Sequence, residues 1–235
     1  MATLLLLRHG RTTSNADGGL AGRRPVELDE TGRHQALAVG ARLAGVPIAA
    51  VVSSPLRRCR DTLALALPGY EPAIEEGLIE VGYGDWEGQE LKKLVKEKLW
   101  SAVQVHPSSV TFPGEGGESM AAMARRAVDA MRDWDARLAA AHGPDAVWLA
   151  CSHGDVIKSI VADALGMHLD QFQRIAVDPA SVTVIRYTPL RPFVLRLNDS
   201  GGDLSGFRPH KRRRRRATRP ADSDAVVGGG AGTAT

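Results

Sequence analysis

Thr3-Leu4-Leu5-Leu6-Leu7-Arg8-His9-Gly10 sets four consecutive leucines directly before an arginine, a histidine and a glycine. An apolar run of this length, closed by polar residues and glycine, is the pattern of a strand buried on both faces, as in a parallel sheet. The ending recurs much later, in Ala146-Val147-Trp148-Leu149-Ala150-Cys151-Ser152-His153-Gly154. Ligands of open α/β sheets bind in the crevice at the carboxyl ends of the strands. Arg8, His9 and His153 therefore stand where chemistry is usually done. A lone histidine at a strand end is most often a hydrogen-bonded structural residue. Two of them, one beside an arginine, point to an anion-handling site.

The rest of the chain follows the same rhythm. After the first strand, residues 11–25 are polar and glycine-rich, a loop of the length that folds over ligands. Asp29 or Thr31 can cap a helix to about residue 44, with Ala36, Leu37, Gly40, Ala41 and Leu43 as its apolar face. A second buried strand is expected at Ile48–Ser53, and Pro55 sits near the first turn of a helix ending at Leu67. Residues 77–88 are irregular, and a single lysine-rich amphipathic helix is predicted over 89–100. A long helix is predicted from Glu118 or Ser119 to 141, and another over 155–165. Residues 181–187 and 193–197 alternate about a proline-containing turn, as in a hairpin at a sheet edge. This order predicts a three-layer α/β/α fold with a doubly wound, mostly parallel sheet and an antiparallel edge.

The composition narrows the function classes. No apolar run approaches the roughly 20 residues that span a bilayer, and the leucine-rich start lacks the flanks of a signal peptide. Cys59 and Cys151 are the only cysteines; two are too few for a disulfide framework, which suits a cytoplasmic protein. From Ser205 onward eight basic residues face two acidic ones, so the basic character of the chain is confined to its end, and residues 1–204 are net acidic. The hydrophobic pattern is lost from Gly201. The expected division is a catalytic domain over 1–200 and a disordered Gly/Arg-rich basic tail over 201–235. Its run of six basic residues, 211–216, would bind nucleic acid weakly and with steep salt dependence. Without interleaved aromatics it has no means of sequence-specific stacking.

Several segments together carry a family resemblance. Leu7-Arg8-His9-Gly10-Arg11-Thr12-Thr13-Ser14-Asn15 resembles the signature of the histidine phosphatase superfamily, in its phosphoglycerate-mutase-like branch. Ser53-Ser54-Pro55-Leu56-Arg57-Arg58-Cys59-Arg60-Asp61-Thr62 resembles its second motif. Leu78-Ile79-Glu80-Val81-Gly82-Tyr83-Gly84-Asp85-Trp86-Glu87-Gly88 resembles its acid-bearing segment. Gly117-Glu118-Ser119 and Ser152-His153-Gly154 supply two more landmarks in order. The resemblance spans residues 4 to about 190 and is similar in pattern to a group labelled probable phosphomutases.

The resemblance implies a phosphoglycerate-mutase-like fold and a metal-independent phosphomonoester hydrolase without a cofactor. It makes His9 the nucleophile and Glu80 the proton donor. Arg8, Asn15, Arg58 and His153 then bind the phosphate of a small phosphorylated metabolite. The chemistry suits the residue types. A neutral imidazole attacks phosphorus, forked guanidinium donors hold the oxygens on which charge spreads, and a carboxylic acid protonates the leaving alkoxide.

Three other readings compete. A cofactor-dependent phosphoglycerate-type phosphomutase needs additional basic residues for a second acidic group. Val81 stands where the mutase pattern has arginine, and residues 91–109 contain lysines but no arginine. Val81, Trp86, Val110 and Phe112 are candidate walls of a more apolar leaving-group pocket, or simply core. A zinc site built from His9, His153 and Glu80 would set a dication against Arg8 and Arg58. A non-catalytic phosphate-binding module would need neither His9 nor Glu80.

Overall fold

The computed structural model describes residues 2–202, 225 and 227–232. Among these, six strands form one sheet in the order β3-β2-β4-β1-β5-β6. The strands are β1 (Thr3–Arg8), β2 (Ile48–Ser53), β3 (Ala73–Ile74), β4 (Val147–Ser152), β5 (Val182–Arg186) and β6 (Phe193–Asp199). β1, β2, β3 and β4 pair in parallel, whereas β5 runs antiparallel to β1 and β6 antiparallel to β5. The predicted mostly parallel sheet with an antiparallel edge is thus present.

Successive side chains of a strand point to opposite faces. Leu4 and Leu6 of β1 and Trp148 and Ala150 of β4 enter the larger core. Leu5 and Leu7, with Leu149 and Cys151, enter the smaller one. Both strands are covered on both sides, as their unbroken apolar runs require. The larger core is closed by α6 (Met120–His142) and α7 (Gly154–Ala164), through Met120, Met123, Met131, Val156 and Ile160. The smaller is closed by α2 (Glu30–Leu43) and α3 (Arg57–Ala66), through Val39, Leu43, Cys59 and Leu63. Truncating any of the buried leucines to alanine would cost about 2–5 kcal/mol. α2 and α3 approach each other closely: a Cβ on Gly40 would lie 2.4 Å from the Ala66 carbonyl oxygen at the end of α3.

The chain leaves β1 toward the helices of one face and leaves β4 toward those of the other. Their carboxyl ends, paired in register at Arg8 and Ser152, therefore flank a crevice. α2 is capped by Asp29, whose side chain accepts from the Gly32 N–H, and α6 by Ser119, which accepts from the Ala122 N–H.

One predicted element divides. In place of a single helix over 89–100 there are α4 (Leu91–Leu94) and α5 (Lys98–Val105), separated where Glu97 adopts an extended conformation. Leu94 and Trp100 are both buried. Six residues apart on one helix they would point about 120° away from each other, and with the break both reach the core. A four-residue helix, α1 (Thr13–Ala16), lies in the expected loop after β1. Val81, Trp86, Val110 and Phe112 are core residues, with Trp86 and Phe112 packed edge to face at 5.4 Å. They do not line the cavity described below. The basic run 211–216 lies outside the described residues. Within the stretch read as a tail, Ala225 donates to Gln104 Oε1 at 3.2 Å and Val227 is buried in the larger core.

Candidate active site

A cavity of about 590 Å³ opens at the carboxyl end of β1. Its wall includes His9 and Asn15 from the segment after β1, Arg58 from the first turn of α3 and Glu80 from the irregular segment after Leu78. Such a volume suits a small metabolite.

His9 follows β1 directly and is buried. Its Nδ1 lies 2.7 Å from the Gly10 carbonyl, which can only accept, so the proton sits on Nδ1. Burial lowers the basicity of the ring well below the usual histidine range, and the Arg58 and Arg8 charges lower it further. The ring is neutral and carries its lone pair on Nε2, as a nucleophile must. The Gly10 N–H donates to Thr62 Oγ1 at 3.0 Å, and Thr62 Oγ1 donates to the Arg58 carbonyl at 2.7 Å. One buried hydroxyl thereby ties the His9 loop to the helix that carries Arg58.

Arg58 is buried, in the first turn of α3. Its Nη2 donates to the Gly22 carbonyl at 2.7 Å and its Nη1 to the Arg24 carbonyl at 3.3 Å. Its Nε donates to His153 Nδ1 at 3.2 Å. The second histidine is therefore a neutral ring protonated on Nε2, which lies 2.7 Å from Ser54 Oγ. Burial, then Arg58, holds it well below the usual histidine range. The two imidazoles are 5.3 Å apart. In this structure His153 stands behind Arg58, its ring nitrogens directed at Arg58 and Ser54, and it is not part of the cavity wall.

Glu80 lies on the irregular segment after Leu78 and is 4% exposed. Burial, with the nearby Asp155 charge, raises its carboxyl to about 7. Its segment is held by a latch that sequence reasoning missed. Arg126 on α6 donates to the carbonyls of Gly77 and Ile79, both at 2.8 Å, and to that of Glu80 at 3.3 Å. Arg23 donates to the Glu80 carbonyl from the other side at 2.9 Å. Glu118 pairs with both arginines and accepts from the Gly82 N–H at 3.2 Å. The Gly117-Glu118-Ser119 landmark is the one trace of this latch in the sequence. Its carboxylate holds the acid's loop in place, and Ser119 starts α6.

Asn15 lines the cavity. Its Oδ1 accepts from the Thr12 backbone and hydroxyl at 3.1 and 2.9 Å, so the amide nitrogen is the group it can offer an anion. Arg8 is buried, with its guanidinium lowered to about 10 by burial and still charged at neutral pH. Its Nη1 donates to the Val177 carbonyl at 2.8 Å. Its Nη2 donates to carbonyls at 228 and 230, near the end of the chain. Asp155, in the first turn of α7, was also missed. It accepts from Tyr83 Oη at 2.8 Å and lies 3.5 Å from Lys158 Nζ. A neutral histidine, fixed guanidinium groups and a carboxyl titrating near neutrality make a set for moving a phosphoryl group.

The family model described as histidine phosphatase superfamily, branch 1, matches residues 4–200. The chain belongs to this superfamily. This histidine phosphatase is 32% identical over 179 residues to glucosyl-3-phosphoglycerate phosphatase of Mycolicibacterium vanbaalenii, a match covering 72% of this chain and 76% of the relative. It is 28% identical over 205 residues to phosphoserine phosphatase 1 of Hydrogenobacter thermophilus, covering 84% and 92%. Among solved structures, a mycobacterial glucosyl-3-phosphoglycerate phosphatase complexed with VO3 shares its fold, with a TM-score of 0.71 at 28% identity over 84% of this chain and 98% of the other. No helix among the described residues is long and apolar enough to cross a membrane.

Proposed function

We propose that this histidine phosphatase hydrolyses small phosphomonoesters through a phosphohistidine on His9 Nε2, with Glu80 as the proton donor. The observation that carries the reading is the shared cavity. A histidine neutral by burial and a carboxyl raised to about 7 open into it together, beside Arg58. Nε2 attacks phosphorus as the bond to the leaving oxygen breaks, and the Glu80 carboxyl protonates that oxygen. The resulting carboxylate then takes a proton from the water that attacks phosphohistidine, releasing phosphate and restoring His9. A group titrating near neutrality serves as acid and then base with little loss in either role.

Arg58 and Asn15 offer donors to the phosphate oxygens from the cavity wall, and Arg8, which lies behind that wall with its Nη2 held by the 228 and 230 carbonyls, joins them when those carbonyls give way. His153 positions Arg58. Turning its Nε2–H from Ser54 to a phosphate oxygen would add a direct contact. Phosphatase is favoured over phosphomutase because the arginines of the mutase pattern are missing from 81 and 91–109. The relatives named above are phosphatases too.

The test is an assay in EDTA with p-nitrophenyl phosphate, a panel of phosphorylated metabolites and 3-phosphoglycerate, with products identified directly. Phosphate release without isomerisation is expected; isomerised phosphoglycerate would overturn the reading in favour of a mutase. The pH profile sharpens it. Glu80 must be protonated for the first step, so kcat/KM for an alkyl phosphate falls as pH rises through about 7. Glu80→Gln should remove that limb, and a limb unchanged in the variant would assign the proton to another group.

A further inference from the structure

Residues near the end of the chain return to the cavity. Val227–Gly229 form a single turn, and Val227, Gly228, Gly230, Ala231 and Gly232 line the same space as His9 and Arg58. Val227 is 1% exposed. The Gly228 and Gly230 carbonyls accept from Arg8 Nη2 at 3.2 and 2.8 Å. The Gly228 N–H donates to Asp155 Oδ2 at 3.1 Å. Gly228 and Gly230 have φ of 71° and 54°, a backbone state that glycine enters without steric cost. The segment is thus a strap held by one apolar anchor and by backbone groups, seated on a charged residue of the site.

Arg8 Nη2 carries two hydrogens, and both are directed at strap carbonyls. A phosphate oxygen can take either one only by displacing a carbonyl. The bond to a phosphate dianion is charge-assisted on both sides and stronger than the bond to a neutral carbonyl, so substrate can win the exchange. We propose that Val227–Gly232 is an intramolecular competitor of phosphate, a strap that occupies Arg8 in the resting enzyme and lifts when a phosphomonoester enters. This rests on the reading of Arg8 as a phosphate donor given above. Strap seating lowers the apparent affinity for every phosphoryl ligand by the fraction of molecules in which it is unseated.

Two measurements on the full chain test the proposal. In Gly228→Val the new Cβ would meet Leu20 Cδ1 at 3.1 Å on a backbone of positive φ, which disfavours the seated turn. Inorganic phosphate, titrated calorimetrically into the folded variant, should bind about tenfold more tightly than to wild type, as expected if the strap is seated in roughly nine molecules of ten. In wild type, deuterium uptake over 227–232 should accelerate when phosphate is added. Unchanged or weaker phosphate binding in Gly228→Val, or slower uptake with phosphate, would overturn the proposal and make the strap a fixed wall that supports Arg8. Phosphate bound by no form of the protein would sink it as well. Turnover by wild type, and its loss in His9→Ala, report on the underlying phosphatase reading independently. An inactive wild type that still exchanges strap for phosphate would refute that reading and keep the strap.

Discussion

The ends of β1 and β4 carry the same dipeptide, lie side by side in the sheet, and hold their histidines in unlike states. His9 keeps its proton on Nδ1 through its own loop's carbonyl and presents Nε2 to the cavity. His153 keeps its proton on Nε2, directed at Ser54, and gives its Nδ1 lone pair to Arg58. Both rings are neutral for the same reasons, burial and the charge of Arg58. Basicity therefore does not distinguish the proposed nucleophile from the residue proposed to support Arg58. The tautomer does, and each tautomer is set by a single neighbour.

The largest effect should come from breaking the β1 side. His9→Ala is expected to abolish turnover, with no phosphoenzyme trapped on acid quench, while the fold is retained; residual phosphoenzyme would move the nucleophile elsewhere. Next comes the group the two ends share. Arg58→Ala should cost about 3 kcal/mol of transition-state stabilisation, roughly a hundredfold in kcat, as for other donors aimed at developing charge. Full activity would remove Arg58 from the clamp. His153→Ala should cost about 1–2 kcal/mol in the wild-type background and little more in Arg58→Ala, because a positioning residue has nothing left to position. An equal loss in both backgrounds would show that His153 acts on the substrate directly. The smallest effect is Ser54→Ala, about 1 kcal/mol in kcat/KM through the lost acceptor. No measurable change would mean that the His153 tautomer is held without it.

The strand ends were legible because burial on both faces demands continuous apolar runs, and β1 and β4 have them. The caps of α2 and α6 were legible because Asp29 and Ser119 are local signals. What escaped was whatever depends on partners distant in the chain. Arg23 converges on the Glu80 loop from one stretch of chain and Glu118 and Arg126 from another, and apart from the Gly117-Glu118-Ser119 landmark nothing in their local sequence says so. The division between α4 and α5 seats two anchors, Leu94 and Trp100, that one continuous helix would point about 120° apart. Val81, Trp86, Val110 and Phe112 show the converse ambiguity, since an apolar side chain reads alike in a pocket wall and in a core. The strap was invisible for a different reason. A glycine-rich stretch binds through backbone carbonyls, and side-chain patterns do not record them.

The close crossing of α2 and α3 reaches further than packing. Gly40 abuts the last residue of α3, and the neighbouring atoms are backbone, which cannot rotate aside. Arg58 rides at the opposite end of that short helix. A single methyl group added at position 40 would tip the helix like a lever, and an active-site displacement of about 1 Å can lower a rate a hundredfold. Selection for catalysis would therefore act on a glycine outside the cavity wall. A screen for inactive yet folded variants should recover substitutions there among those in the site itself.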